Sequence, residues 1–484
     1  MIVTKTARQK LLNYTRYLDY TLDVYRLALE YVIQIVYKRW NQIQQIDKSK
    51  RRINYVEHLI HSTAKNHALY DFDQKFYKFP SYFRRAVISE AIGHVSSYMT
   101  RYKKWEEKNK KRLAKGRKPI DRPPKFTTRC KSFPVFYKNN MSKWIENGKV
   151  ALKVYTGTDW IWFVLPFQSI KPNRFPEKDG WVKQNPMLVK KVKRWRLHIP
   201  FKKEVKLENK NFNDPVLAVD LGLNHLATCS VVYSDGTVAH RQFLSSYEAE
   251  KDHLNRLLGH IAKKSKQTWL ISTGQKFCKL LWNRVNSIAD SIAHQCSNEL
   301  IKIAEEWNCQ VIVFEHLGKL KVPKNFWGAK RLRKKLHYWM QGRIQRYTKY
   351  KGYAKGIKFS RVWPSGTSKY AYDGSGEVIR IHHGKVAIFE NGKIYNADLN
   401  ASYNIAARYW IREFLDPKSR ARNGIVVGSV DINSIVLPAR HQQTLASLTS
   451  LVRLMAMPSD TGRALYSSQV FSFKGKPPLY CVSN

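Results

Sequence analysis

VLAVDLG, residues 216–222, reads as a buried strand: four apolar residues in a row, then an acid at Asp220 and a glycine. A carboxylate there is expensive unless it is paired or binds a cation, which makes Asp220 a candidate functional residue. HLATCSVVYSDGTVAHRQF (225–243) then reads as a hairpin turning at Asp235–Gly236. A long helix is expected around residues 275–307, with Ile288, Ile292, Cys296, Leu300 and Ile303 on one stripe. QVIVFEHL (310–317) repeats the first design, an apolar strand ending in Glu315. Later, NADLNASYNIAARYW (396–410) opens a helix with Asp398 in its first turn, where Asp suits the positive end. The order is β-β-β-α-β. If the first and fourth strands are neighbours, Asp220 and Glu315 emerge at one sheet edge, with Asp398 placed to approach from the capping helix.

Three converging carboxylates are what a pair of Mg²⁺ ions, about 3.5–4 Å apart, needs to activate water and stabilise the leaving oxygen of a phosphodiester. Asp235, Asp252, Asp290, Glu305 and Glu377 fall in turns or on helix faces and read as structural.

Composition points to the same substrate. The 484 residues carry 86 Lys and Arg against 36 Asp and Glu, a formal charge of +50, and a compact fold so charged calls for a polyanionic partner. The 14 Trp, 27 Tyr and 21 Phe add rings that stack on unpaired bases. A 43% hydrophobic content excludes a disordered chain. The six cysteines form no C-x-x-C pair, so neither a disulfide scaffold nor a thiolate zinc site is readable, and their usage fits a reducing, cytoplasmic setting. MIVTKTARQK lacks the features of a signal peptide, and no apolar run spans a membrane, so no membrane partner is expected.

Outward from the decisive region, residues 1–100 read as helical, EEKNKKRLAKGRKPIDRPPK (106–125) as an exposed charged loop, and 130–205 as β-rich and barrel-like, through VALKVY, WIWFVLPF and WRLHIPF. In the last, Trp195, Leu197 and Ile199 alternate with Arg194, Arg196 and His198, one buried face and one offering cations. Arg194, Arg196, Lys111 and Arg112, from KKVKRWR and KNKKRLAKGRK, are the candidate nucleic-acid contacts.

These residues also resemble a family. AVDLGLNHLAT, VIVFEHLGKL and NADLNASYNIAAR look like the three RuvC motifs of TnpB proteins and the compact type V CRISPR effectors descended from them. KKLHYWMQGRIQRYTKYKGYAKGIKFSRVWPSGTSK, between the second and third motifs, follows the TnpB pattern. The resemblance is strong over about 210–412 and looser before it. It implies an α/β multi-domain protein: a helical recognition region (1–128), a β-rich wedge-like domain (129–209), and an RNase H-like nuclease domain (210–412), followed by a tail (413–484) that it does not cover. It further implies a guide RNA, a target DNA, cleavage with Mg²⁺ or Mn²⁺, and Asp220, Glu315 and Asp398 as the catalytic metal ligands.

The departure lies in a zinc-ribbon insertion at about 363–397. Where the family carries C-x-x-C twice, this chain has Ala371 and Gly374 in TSKYAYDGSG, and Ile388 and Asn391 in IFENG. Loss of all four thiolates together implies a metal-free ribbon that keeps the hairpin KVAIFENGKIY and is held by packing, with Asp373, His382, His383 and Glu390 as ordinary surface residues. The leading reading is an RNA-guided DNA endonuclease. The rivals are an RNA-guided DNA-binding protein that does not cut, and a DDE transposase, which needs Asp, Asp, Glu where this chain gives Asp, Glu, Asp. The oligomeric state stays open.

Overall fold

A computed structural model describes residues 1–456 other than 121, 146–147, 169–178, 192–193, 208–211, 223–224, 246, 269–276, 317–339, 418 and 420–436. Of the residues quoted above, Asp121, Leu223, Asn224, 192–193, 317–320, 334–339 and Cys481 lie outside the described set, as does the side chain of His383. The chain divides into two compact units, Ile2–Glu204 and the residues from Val205 onward joined by Met1.

In the first unit, strand β1 (Ile2–Lys10) precedes helices α1 (Arg16–Lys38), α2 (Trp40–Gln44), α3 (Ser49–Ile60), α4 (Phe72–Lys75) and α5 (Ser81–Leu113). Strands β2 (Ser142–Ile145), β3 (Lys149–Tyr155), β4 (Trp160–Pro166), β5 (Val182–Lys183), β6 (Met187–Lys191) and β7 (Arg194–Glu204) follow. Thr15 caps α1 by accepting the Tyr17 N–H at 3.3 Å, and Leu18, Leu22, Tyr25, Leu29 and Val32 form its buried stripe. α5 continues to Leu113, into the stretch expected as an exposed loop. The first ten residues correct the helical reading. β1 runs antiparallel to β7 from Ile2↔Glu204 to Lys10↔Arg196, and only Val3, Ala7 and Gln9 of it are buried. That pairing ties the amino terminus into the same unit as the later strands. β7 alternates as its sequence suggests, Trp195, Leu197 and Ile199 inward. Among the described residues the strands form two sheets, β1-β7-β5 with β6 also on β7, and β2-β3-β4, with isolated bridges at Leu11↔Phe167 and Val135↔Met187.

The second unit holds β8 (Val216–Asp220), β9 (Ala227–Val232), β10 (Val238–Leu244), α6 (Glu248–Gln267), α7 (Lys279–Glu306), β11 (Val311–Glu315), α8 (Gln341–Ala354) and β12 (Lys358–Val362). Three short strands, β13 (Ile379–Ile381), β14 (Val386–Ile388) and β15 (Ile394–Asn396), lead into α9 (Ala397–Leu415), and α10 (Leu445–Ala456) ends the described chain. The main sheet has the order β10-β9-β8-β11-β12, antiparallel across β10-β9-β8 and parallel across β8-β11-β12. Two elements go beyond the β-β-β-α-β reading. α6 buries Leu254, Leu257, Leu258 and Ile261, and β12 adds a fifth strand.

Side-chain alternation splits the sheet between two cores. Leu217, Val219, Ile312 and Phe314 face the layer of α6, α7 and α8. Val216, Ala218, Val311, Val313 and Val362 face α9, whose Tyr403, Ala407, Trp410 and Phe414 fill that side. Leu445, Leu448 and Leu451 of α10 join the second core, so part of the expected tail packs on α9. Among the described residues, no helix is long and apolar enough to cross a membrane.

Candidate active site

β8 and β11 are parallel neighbours with Val219 opposite Phe314. The next residue on each, Asp220 and Glu315, therefore ends its strand at the same edge. Both share the parity of Ala218 and Val313, which places them on the face that α9 covers. α9 begins at that edge. Asn396 Oδ1 accepts the Asp398 and Leu399 N–H groups, both at 3.0 Å, capping the helix and fixing Asp398 in its first turn.

Burial is the largest influence on all three carboxyls, and it raises each above the ordinary carboxylate range. Asp220, pushed up furthest, is raised again by the charges of Glu315 and Asp398. Three basic side chains work the other way. Arg380 on β13 favours the ionised form of every one of the three, Arg408 of Glu315, and His225 of Asp398. Among the described residues none of the three acids forms an ion pair, and no three His, Cys, Asp or Glu side chains are gathered closely enough to hold one metal ion as they stand. The donor chemistry nonetheless suits a hard divalent cation: buried, mutually repelling carboxylates without a full counter-charge.

Glu315 is 8% exposed, its carboxylate takes the Thr367 hydroxyl, and its backbone carbonyl accepts the Gln345 side-chain amide at 3.1 Å. Thr367 sits in a loop that needs its glycine. Gly366 has φ +82°, and a Cβ there would lie 2.1 Å from the His441 carbonyl oxygen. A polar stripe on α9 holds the same loop. Asn400, Asn404 and Arg408 recur every fourth residue, so they share one face. Asn400 accepts the Tyr372 N–H at 2.7 Å and donates to Tyr370 O at 3.0 Å. Asn404 donates to Thr367 O and Tyr370 O, both at 2.9 Å, and accepts the Leu445 N–H at 3.2 Å. Arg408 is 4% exposed and donates to four carbonyls, Trp363 at 2.9 Å, Ser365 at 2.7 Å, His441 at 2.7 Å and Gln443 at 3.2 Å, while burial pushes its pKa down to about 10. Sequence reasoning named Asp398 on this helix and passed over the stripe. The N-x-x-x-N-x-x-x-R spacing carried the signal, since buried amides in a helix need partners. His225, Thr367 and Arg380 are further residues of the site that the sequence reading did not single out; His225 Nδ1 is buried without a hydrogen-bond partner among the described residues.

β13-β14-β15 form a small antiparallel sheet beside α9, and the hairpin expected in KVAIFENGKIY is β14–β15. At the four positions where the TnpB pattern has cysteines, Ala371 is fully buried with Ala387, Phe389 and Ala397, and Gly374 adopts φ +81°. Ile388 ends β14, and Asn391 donates to Asp373 Oδ2 at 3.2 Å. Glu390 accepts the Glu377 N–H at 3.0 Å and His382 is exposed. The Ala397 N–H donates to Lys385 O at 3.0 Å, so this sheet abuts the turn bearing Asp398.

Three of the acids read as structural have structural partners: Asp235 accepts the Thr237 N–H at 2.8 Å, Asp290 pairs with Arg343 at 3.2 Å, and Glu305 with Lys355 at 2.7 Å. Of the candidate nucleic-acid contacts, Lys111 and Arg112 lie in the last turn of α5 and Arg194 and Arg196 on β7, all in the other unit.

Two family descriptions match the chain: the Aq_aa04 family over residues 5–156, and the Cas12f1-like TNB domain over 342–405, which spans α8, β12, the small sheet and the start of α9. The TnpB-like protein aq_aa05 of Aquifex aeolicus (strain VF5) is 28% identical over 278 residues, covering 54% of this chain and 87% of that protein. Among solved structures, the Cas12f1–sgRNA–target DNA complex is 14% identical with a TM-score of 0.28 over 84% of this chain and 99% of that one. CasPhi-2 (Cas12j) bound to crRNA is 12% identical with a TM-score of 0.44 over 83% of this chain and 97% of that one. The chain resembles the TnpB family and the compact type V effectors, as its motifs indicated.

Proposed function

We propose that the chain is an RNA-guided DNA endonuclease whose second unit is an RNase H-like, RuvC-type nuclease. Guide RNA and target DNA are its partners, and the cytoplasm, at the nucleoid when bound to DNA, is its place of action. The observation that carries this reading is that Asp220 and Glu315 end neighbouring strands at one edge and face of the mixed sheet, with Asp398 in the first turn of the helix covering that face; Glu315 is buried, Asp220 and Asp398 are half-buried, and none has an ion pair among the described residues. Asp220, Glu315 and Asp398 would hold Mg²⁺ or Mn²⁺, which when bound supplies Lewis acidity at the phosphodiester and a water of lowered pKa. The protein's own groups prepare that site. Thr367 and the α9 stripe hold Glu315 and its loop in place, and the exposed Arg380 offers positive potential where an anionic backbone would approach.

The second reading is guided DNA binding without cutting. A single assay separates the two. The purified protein, supplied with the RNA that copurifies with it and a matching target, should cut DNA in Mg²⁺ or Mn²⁺ and not in EDTA. Target binding with no product in any divalent metal leaves the binding-only reading, and no retained RNA removes both.

The small sheet is proposed to fold without zinc, held by the Ala371–Phe389 cluster and by Lys393, whose Nζ donates to the Tyr372 hydroxyl at 2.7 Å. Elemental analysis of the same preparation should find far less than one zinc per chain. A stoichiometric content would redirect attention to Asp373, His382 and His383.

A further inference from the structure

The three-stranded sheet β2-β3-β4 has two unlike faces. Val150, Leu152, Val154 and Leu165 are buried on one, where Phe163 meets Tyr17 of α1 edge to face at 5.8 Å. The register fixes the other: Trp162 opposite Lys153, Val164 opposite Ala151 and through it in line with Lys143, and Pro166 opposite Lys149 and through it in line with Ile145, with Ala151 and, at the far end, Trp160 buried on the same face. On that face Trp162 is 39% exposed, Val164 47% and Ile145 42%, whereas a sheet turned only to water would alternate polar residues there. Lys143 Nζ stands 4.7 Å from the Trp162 ring centroid. No strand of the sheet contains an acid.

We propose that this face is a stacking platform for single-stranded nucleic acid, with a base on the Trp162 indole and the backbone along Lys143, Lys149 and Lys153. An indole flanked by cations on a flat, half-exposed sheet has the chemistry of base stacking beside phosphate pairing, and this arrangement tolerates any base. The occupant follows from charge. A second copy of the same face would set three lysines against three, and a purely apolar partner would bury those ammonium groups unpaired. A polyanion with exposed rings satisfies both halves of the surface. Duplex DNA presents phosphate without open base faces, so Trp162 has nothing to stack on there.

The inference rests on the nucleic-acid-binding part of the proposed function and not on cleavage, so its test measures binding alone. Full-length protein freed of RNA is titrated against labelled single-stranded RNA, single-stranded DNA of the same sequence, and the corresponding duplex. Trp162→Ala should weaken single-strand binding about tenfold or more, Trp162→Phe less, and duplex binding should barely change. Lys143→Glu, Lys149→Glu and Lys153→Glu should lower single-strand affinity and flatten its salt dependence. Lys143 and Lys149 are exposed, so thermal melts of their variants should match wild type, and melts of Trp162→Ala, Trp162→Phe and Lys153→Glu, at partly covered positions, are measured alongside to separate lost binding from lost stability. A loss confined to the RNA or to the DNA probe assigns the platform to that strand. Unchanged single-strand affinity in Trp162→Ala, or equal losses on single strand and duplex, overturns the platform and leaves the nuclease reading standing. Wild type that binds no single strand overturns the platform together with the guide.

Discussion

Under the proposed function, Asp220→Ala should lower guided cleavage by about a thousandfold or more, with guide and target affinity near wild type. Asp220 carries the largest effect because it is the acid most opposed by its surroundings: burial raises it first, and the charges of Glu315 and Asp398 raise it further. Glu315→Ala also abolishes cutting, and in addition leaves the Thr367 hydroxyl without its acceptor. Asp398→Ala removes the third donor while Asn396 still caps the helix. Asp235→Ala and Glu377→Ala are the controls and should cut normally, since one holds a turn and the other an exposed ion pair with Lys369. Timed cleavage of a labelled target, with affinity measured separately in Ca²⁺, reads both quantities. If Asp398→Ala cuts as fast as wild type, it is not a ligand. If the alanine variants lose target binding in proportion to cutting, the acids are holding the fold together instead.

The site was legible because its acids interrupt strongly apolar strands. VLAVD and VIVFE are buried on both faces, so each reads as a continuous apolar run, and a charge at its end stands out. β12 was not legible for the converse reason. KFSRV is an edge strand with only Val362 buried, and no apolar run marks it. β1 is similar, an edge strand made by pairing to β7 at a sequence distance that no local pattern encodes. α6 did carry an i, i+3, i+4, i+7 stripe in Leu254, Leu257, Leu258 and Ile261, diluted among charged neighbours. The supporting contacts around the acids are tertiary. Thr367 reaches Glu315 across 52 residues and Arg408 reaches His441 across 33, so composition near either partner gives no hint of them. The chemistry sat in local motifs, and its positioning came from the fold.

The crowded carboxyls also set how stability depends on pH. Each of Asp220, Glu315 and Asp398 has a folded-state pKa above its ordinary value, with burial the main cause. The folded chain therefore holds protons that the unfolded chain has released. Their contribution to stability is fully present below the unfolded pKa, near 4, and is lost as pH rises through the raised folded values. Wild type in EDTA should lose stability over that window relative to Asp220→Asn, which keeps the shape and removes the charge. At neutral pH the variant should melt higher than wild type, since the amide needs no costly ionisation in that buried place. At a pH below 4 the two should converge. Mg²⁺ should raise the melting temperature of wild type at neutral pH, where the carboxylates are forced to ionise, and do much less for Asp220→Asn. Thermal melts of both proteins across pH, with EDTA or Mg²⁺, check each part. Equal Mg²⁺ shifts in the two proteins would place the ion elsewhere. An Asp220→Asn variant less stable than wild type at neutral pH would mean that Asp220 is stabilised by its surroundings, and the strained-carboxylate account of the site would fall.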